Sequence, residues 1–234
     1  MLHAASNSPQ PAPSAVLVEL FTSEGCSSCP PADRLLADLD RKQPVSGTTI
    51  VVLSEHVDYW NQLGWRDPFS SHQWSERQDE YGRQFGLDSV YTPQIVVDGS
   101  LQVNGSDSRA VLTAIERSAR QPHIDIAIPS LNRTGTSVNL QFTASAAKGT
   151  TIYAVIADDA DRSSVARGEN AGRNLDHVAV ARTLARLADL QSTALDKTTS
   201  IALPPDAANR QLRIILFARD NKNGHIVGVV AREL

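Results

Sequence analysis

The chain has 234 residues, and its 22 Lys and Arg against 26 Asp and Glu leave a formal charge of −4. That balance, with no cluster of basic residues, excludes a nucleic-acid footprint, which needs grouped Lys and Arg. At 41% hydrophobic and 21% charged the composition is that of an ordinary globular protein, and no apolar run approaches the ~18–20 residues that span a bilayer.

Residues 1–14 are rich in Pro, Ser and Ala without periodicity and read as a flexible leader. They hold no basic stretch followed by an apolar one, so no intact signal peptide is present. His3-Ala4-Ala5-Ser6 has the small residues left around a signal cleavage site, and an ordinary cytosolic N-terminus fits equally well. An apolar, β-branched run over 15–22 predicts a buried strand, ended by Ser23-Glu24-Gly25. Cys26-Ser27-Ser28-Cys29-Pro30-Pro31 follows. Leu35, Leu36 and Leu39 then recur at helical spacing, behind prolines that a first helical turn tolerates. A second buried strand over 49–54 completes a strand–helix–strand unit.

After an irregular stretch, a helix is expected from about Ser71 to Phe85, with Ser70 and Gln73 as capping box and Gly86 as stop. Strands at 95–97 and 101–103 flank Asp98-Gly99, a hairpin signal. Asp107 caps a further helix that buries Val111, Ala114 and Ile115. From His123 the pattern changes to about seven short strand-like runs between 124 and 232, separated by Gly, Asn, Asp and Pro. These predict an antiparallel β-sandwich. The expected organisation is a leader over 1–14, an α/β domain over 15–120 and a β-sandwich-like domain over 123–234. The acidic runs at 158–161 and 220–224 lack the spacing of a calcium loop and read as solvated turns.

Cys26 and Cys29 are the only cysteines. As a structural disulfide they would close a loop too short for much entropic stabilisation. Closed zinc needs about four ligands, and the scattered histidines offer no second pair. A Cys-x-x-Cys between a buried strand and a helix favours redox chemistry. The helix N-terminus stabilises thiolate, the first cysteine attacks a disulfide and the second resolves the mixed species. In this context the pair is a thioredoxin-like redox motif, and Thr92-Pro93, directly before the third strand, stands where such folds carry a cis-proline.

Residues 21–33 (Phe-Thr-Ser-Glu-Gly-Cys-Ser-Ser-Cys-Pro-Pro-Ala-Asp), 56–69 (His-Val-Asp-Tyr-Trp-Asn-Gln-Leu-Gly-Trp-Arg-Asp-Pro-Phe), 90–94 (Val-Tyr-Thr-Pro-Gln) and 167–177 (Arg-Gly-Glu-Asn-Ala-Gly-Arg-Asn-Leu-Asp-His) resemble the secreted thioredoxin-like proteins catalogued as domain of unknown function 1223. The resemblance implies a thioredoxin-like domain, an export signal in the full-length precursor and a periplasmic or extracellular home; with the strand-rich second half, the expected fold is a thioredoxin-like α/β domain followed by an all-β domain. It supplies no reaction. From thioredoxin-like folds it also implies that Pro93 keeps metals off the sulfurs and presents backbone to an extended substrate.

Further candidates surround this core. Eight of the twelve aromatic residues lie within 59–91, either a recess over the cysteines or a small core of their own. Glu24 is a base for Cys29 or a hydrogen-bonding cap of the turn. His56 and Asp58 end the second strand near the cysteines, beside Tyr59 and Trp60. Arg167, Glu169, Asn170 and Arg173 either lock the two halves together or reach the redox site. His177 reads as structural. The sequence thus predicts an exported thiol–disulfide oxidoreductase without cofactor, acting on protein thiols or disulfides with an electron-exchange partner. The alternatives are a copper carrier using Cys26, Cys29 and His56, and an interaction module with a vestigial pair.

Overall fold

The computed structural model describes residues 14–234, so the leader predicted over 1–14 falls outside it except for Ser14. Strand β1 (Ser14–Thr22) leads through the cysteine turn into α1 (Pro30–Lys42), and β2 (Thr48–His56) returns parallel to β1. Helix α2 (His72–Phe85) is capped by Ser71 rather than Ser70: the Ser71 hydroxyl accepts from the Gln73 amide. Strands β3 (Gln94–Val97) and β4 (Leu101–Asn104) form the expected hairpin. Asp98 and Gly99 both take positive φ there, as a two-residue turn matching strand twist requires. Asp107 caps α3 (Ser108–Ser118) by accepting from the Ala110 amide.

Seven strands follow: β5 (Ile126–Thr134), β6 (Ser137–Ala144), β7 (Thr150–Ser164), β8 (Asn174–Asp189), β9 (Leu195–Ala202), β10 (Leu212–Asp220) and β11 (Ile226–Glu233). They do not form a sandwich of their own. One mixed eight-stranded sheet runs β11-β10-β7-β8-β2-β1-β3-β4 through both halves, and only β5-β6-β9 make a separate sheet. The expected thioredoxin-like α/β domain followed by an all-β domain is therefore overturned. The junction is β8 beside β2, parallel, in register at Ser54 and Val180.

The reason lies in β10. Ile214, Ile215, Leu216 and Phe217 are all fully buried, so this strand sends apolar side chains to both faces. A sandwich strand needs cover on one face only, whereas a strand buried on both reads as a continuous apolar run. Ile214 and Leu216 pack with Val138, Leu140 and Phe142 of β6. Ile215 and Phe217 pack with Leu17, Val51 and Leu53, on the back of β1 and β2. The other face of β1 and β2 is covered by Leu36 and Leu39 of α1 and Val111 and Ile115 of α3.

Ion pairs reinforce the same union. The Arg213 guanidinium in β10 grips both carboxylate oxygens of Asp40 in α1, at 2.9 and 3.0 Å. Residues 158–161 lie inside β7, not in a turn: buried Asp158 faces Arg182 and Arg210. Residues 221–223 do form a turn, joining β10 to β11.

Because the halves share a core, they should unfold together. All three tryptophans lie within residues 60–74, whereas Phe217 belongs to β10. Phe217→Ala should cost about 3–5 kcal/mol and move the urea midpoint of tryptophan fluorescence and of circular dichroism equally. A tryptophan transition that stays in place while circular dichroism shifts would show two independent units.

Candidate functional site

The end of β1 delivers the chain into a tight turn. The Cys26 amide donates to the Ser23 carbonyl and the Cys29 amide to the Cys26 carbonyl. The Cys29 carbonyl accepts from the amides of Ala32 and Asp33, which places Cys29 at the helix N-cap with Pro30 and Pro31 in the first turn. Cys26 and Cys29 form a disulfide with Cα atoms 5.4 Å apart. Both cysteines are fully buried, whereas Ser27 and Ser28 between them are exposed. The Ser28 hydroxyl lies 3.4 Å from the Cys26 sulfur.

The Thr92–Pro93 peptide is cis and enters β3. It is tied to the cysteine turn from two sides. Trp60 donates its indole N–H to the Thr92 hydroxyl at 2.9 Å and packs its Cβ over Gly25. Gly105 donates its amide to the Pro93 carbonyl, and a Cβ there would stand 3.1 Å from both Ala32 and Pro93, so glycine gives this loop its close fit on α1.

Glu24 joins everything else. Its buried carboxylate accepts from the Trp65 indole at 2.8 Å, lies 3.2 Å from His177 Nε2 and accepts from the Ser163 hydroxyl. Its amide donates to Asp67 and its carbonyl accepts from Asn170, both at 2.8 Å. Ser163 and His177 arrive on the β7–β8 hairpin, whose register sets Asp161 opposite His177 and Ser164 opposite Asn174. The loop at the tip of that hairpin brings Asn170, which donates to the carbonyls of Glu24 and Cys26, and Glu169, which accepts from the Ser27 amide at 3.1 Å. The side chain and the amide of Ser27 hold the exposed Glu169 carboxyl below its usual range. Arg173 donates to the Asn170 side-chain oxygen.

Next to Glu24 lies a buried ionisable group of residues. His56 Nδ1 sits 2.7 Å from Asp67 Oδ2, and the His56 and His177 rings meet edge to face at 4.7 Å with Phe69 against both. Burial opposes protonation of His56, but the charge and hydrogen bond of Asp67, with Asp33 and Glu24 nearby, outweigh it and raise its pKa. Burial likewise works against the Asp67 carboxylate, yet His56 and the amides of Glu24 and Phe69 hold its pKa down. Asp33 accepts from the Thr22 hydroxyl, and there burial prevails over His177 and His56 and raises its pKa.

Not every candidate converges. Asp58 faces α2, bonded to Ser75 with His72 at 3.3 Å, and the Tyr59 hydroxyl donates to Gln78. Arg167 is exposed and makes no side-chain hydrogen bond among the described residues. Cys26, Cys29 and His56 are not arranged as a metal shell: among the described residues no three His, Cys, Asp or Glu are placed to hold one ion. Conversely, Asp33, Asp67 and Ser163 belong to the cluster without being singled out by sequence, and His177, read as structural, lies buried at its centre. Its signal was parity: Leu175, His177 and Ala179 share the buried side of β8.

The His56–Asp67 pair carries a pH signature. A raised His56 pKa stabilises the fold fully below about 6.5, the ordinary value, and that part is lost as pH rises through the folded value. The depressed Asp67 pKa stabilises above about 3.9 and is lost as pH falls through the folded value. His56→Gln should therefore cost about 3 kcal/mol or more at pH 5.5 and clearly less at pH 9. Urea unfolding at the two pH values checks this, and an equal or larger cost at pH 9 contradicts it.

Among solved structures the chain is similar to a structural-genomics target from Agrobacterium tumefaciens, 27% identical over 94% of this chain and 93% of that one, with a TM-score of 0.66. Two others reach TM-scores of only 0.30 and 0.29 and carry no argument. One is the sporulation control protein Spo0M of Bacillus subtilis, 8% identical over 48% of this chain and 47% of that one. The other is a domain of the outer membrane lipoprotein Omp28 of Porphyromonas gingivalis, 15% identical over 48% and 88%. No curated protein matches. The family described as "Protein of unknown function (DUF1223)" matches residues 17–219, most of the chain, and the chain belongs to that family.

Proposed function

We propose that the chain is an exported thiol–disulfide oxidoreductase in which Cys26 exchanges with substrate and Cys29 resolves. The observation that carries this reading is the Cys26–Cys29 disulfide at the start of α1, with a hydroxyl beside the first sulfur. A thiolate at Cys26 would gain from the nearby helix N-terminus and from a hydrogen bond donated by Ser28. Its home would be the periplasm or extracellular space, where disulfides persist.

In the oxidising direction a substrate thiolate attacks Cys26 Sγ and the Cys26–Cys29 bond breaks. Cys29 leaves as thiolate and takes a proton. The second substrate thiol, deprotonated, attacks the mixed disulfide, and Cys26 leaves in turn. Two electrons pass from the substrate dithiol to the protein pair, and a partner disulfide reoxidises it by the same steps. Reduction of a substrate disulfide is the reverse. The partners are protein thiols or disulfides and an electron-exchange protein of the same chemistry.

The decisive measurement is the equilibrium potential of the pair against glutathione. A value between about −120 and −270 mV, the span of exchange catalysts, supports the reading, and Cys29→Ser should then trap a mixed disulfide at Cys26. A potential below about −300 mV would mark a structural staple and end the proposal. Ser28→Ala should raise the Cys26 thiol pKa and slow its alkylation at pH 7 severalfold; an unchanged rate would remove Ser28 from the site.

A further inference from the structure

Exchange requires a linear approach to sulfur, yet Cys26 and Cys29 are both fully buried while the residues between them are open. One segment seated on the turn is the 166–172 strap joining β7 to β8, and Trp60 and the Ser106 hydroxyl also meet the turn, at Gly25 and the Ser28 carbonyl. Its base is closed by hydrogen bonds between Val165 and Arg173 and between Gly172 and Val165. Beyond that base it touches the cysteine turn through few groups. Asn170 binds the carbonyls of Glu24 and Cys26, at 2.8 and 2.9 Å, and Glu169 binds the Ser27 amide. Gly168 rests on the loop after β2, where a Cβ would come within 3.1 Å of Trp65 Cβ.

We propose that this strap is a lid over the disulfide, hinged at Gly168 and Gly172, and that it must lift before a thiol reaches Cys26. Both glycines take left-handed φ, +76° and +80°, and bracket Glu169 and Asn170, which carry the contacts. Three hydrogen bonds can break without disturbing the β7–β8 ladder, so the lid opens as a local unit. Closed, it also sets the Glu169 carboxylate beside the turn, an anion facing the approach of an anionic nucleophile. The proposal rests on the exchange reading and adds its regulation: a partner that engages the strap admits itself, whereas a free thiol waits for spontaneous opening.

The test is the rate at which excess dithiothreitol reduces the oxidised full chain, followed by acid quench, alkylation and mass. Dithiothreitol attacks Cys26, displaces Cys29, then closes to its cyclic disulfide as Cys26 leaves, so two electrons enter the pair. Asn170→Ala removes the two carbonyl contacts. Gly172→Ala keeps every contacting side chain and only strains the closed backbone. Both should be reduced at least tenfold faster than the parent, and a ten-residue cysteine peptide should gain more than dithiothreitol. The parent rate should be nearly flat in low urea, because little surface is exposed on lifting a strap. Rates within twofold of the parent in both variants overturn the lid, as does a steep urea dependence, which would mean access by global unfolding. Because only a chemical reductant is used, these rates are read independently of whether Cys29→Ser traps any protein partner.

Discussion

The structure turns on one desolvated carboxylate. Glu24 sits two residues before Cys26 with its side chain buried, and a charge in that position is tolerable only when donors surround it. Trp65 comes from the loop after β2, and Ser163 and His177 from the β7–β8 hairpin. Its backbone is clamped as well, by Asp67 on one side and Asn170 on the other. A single short turn is thereby held in three dimensions by groups scattered over most of the chain. Removing Glu24 would leave Trp65, Ser163 and His177 without their shared partner.

This convergence is made available by the sheet. Placing β8 next to β2 brings a fifteen-residue and a sixteen-residue strand alongside the cysteine turn, and their hairpin overhangs it. The same topology lets β10 bury both of its faces, one against β6 and one against the back of β1 and β2. The C-terminal half therefore contributes Ser163, Glu169, Asn170 and His177 to a site whose sulfurs belong to the N-terminal half.

What was legible in the sequence was local. The cysteine pair before α1, the Asp98-Gly99 hairpin and the Asp107 cap are each written in a few adjacent residues with fixed turn chemistry. Strand positions in the second half were legible for the same reason, from runs of apolar residues between turns. The pairing of β2 with β8 was not. Ser54 and Val180 meet without any local pattern, and the apolar run of β2 looks the same whichever strand covers its edge. The continuous run Ile214-Ile215-Leu216-Phe217 did carry information against a simple sandwich, since alternation is absent from it. Asp67 and Ser163 escaped because a polar residue in a loop or near a strand end is ordinary until its partner is known.

The long reach of these contacts also orders events in time. Ser27 and Glu169 are 142 residues apart in the chain, and Glu24 and Ser163 are 139. Contacts of such separation form late, because closing long loops costs entropy before any contact repays it. The backbone bonds that form the turn itself, from Ser23 to Asp33, join only neighbouring residues. As the chain is synthesised, the cysteine turn thus emerges well before the hairpin that bonds to its backbone. The local turn around the two sulfurs and the long-range contacts that hold it therefore belong to different stages of folding.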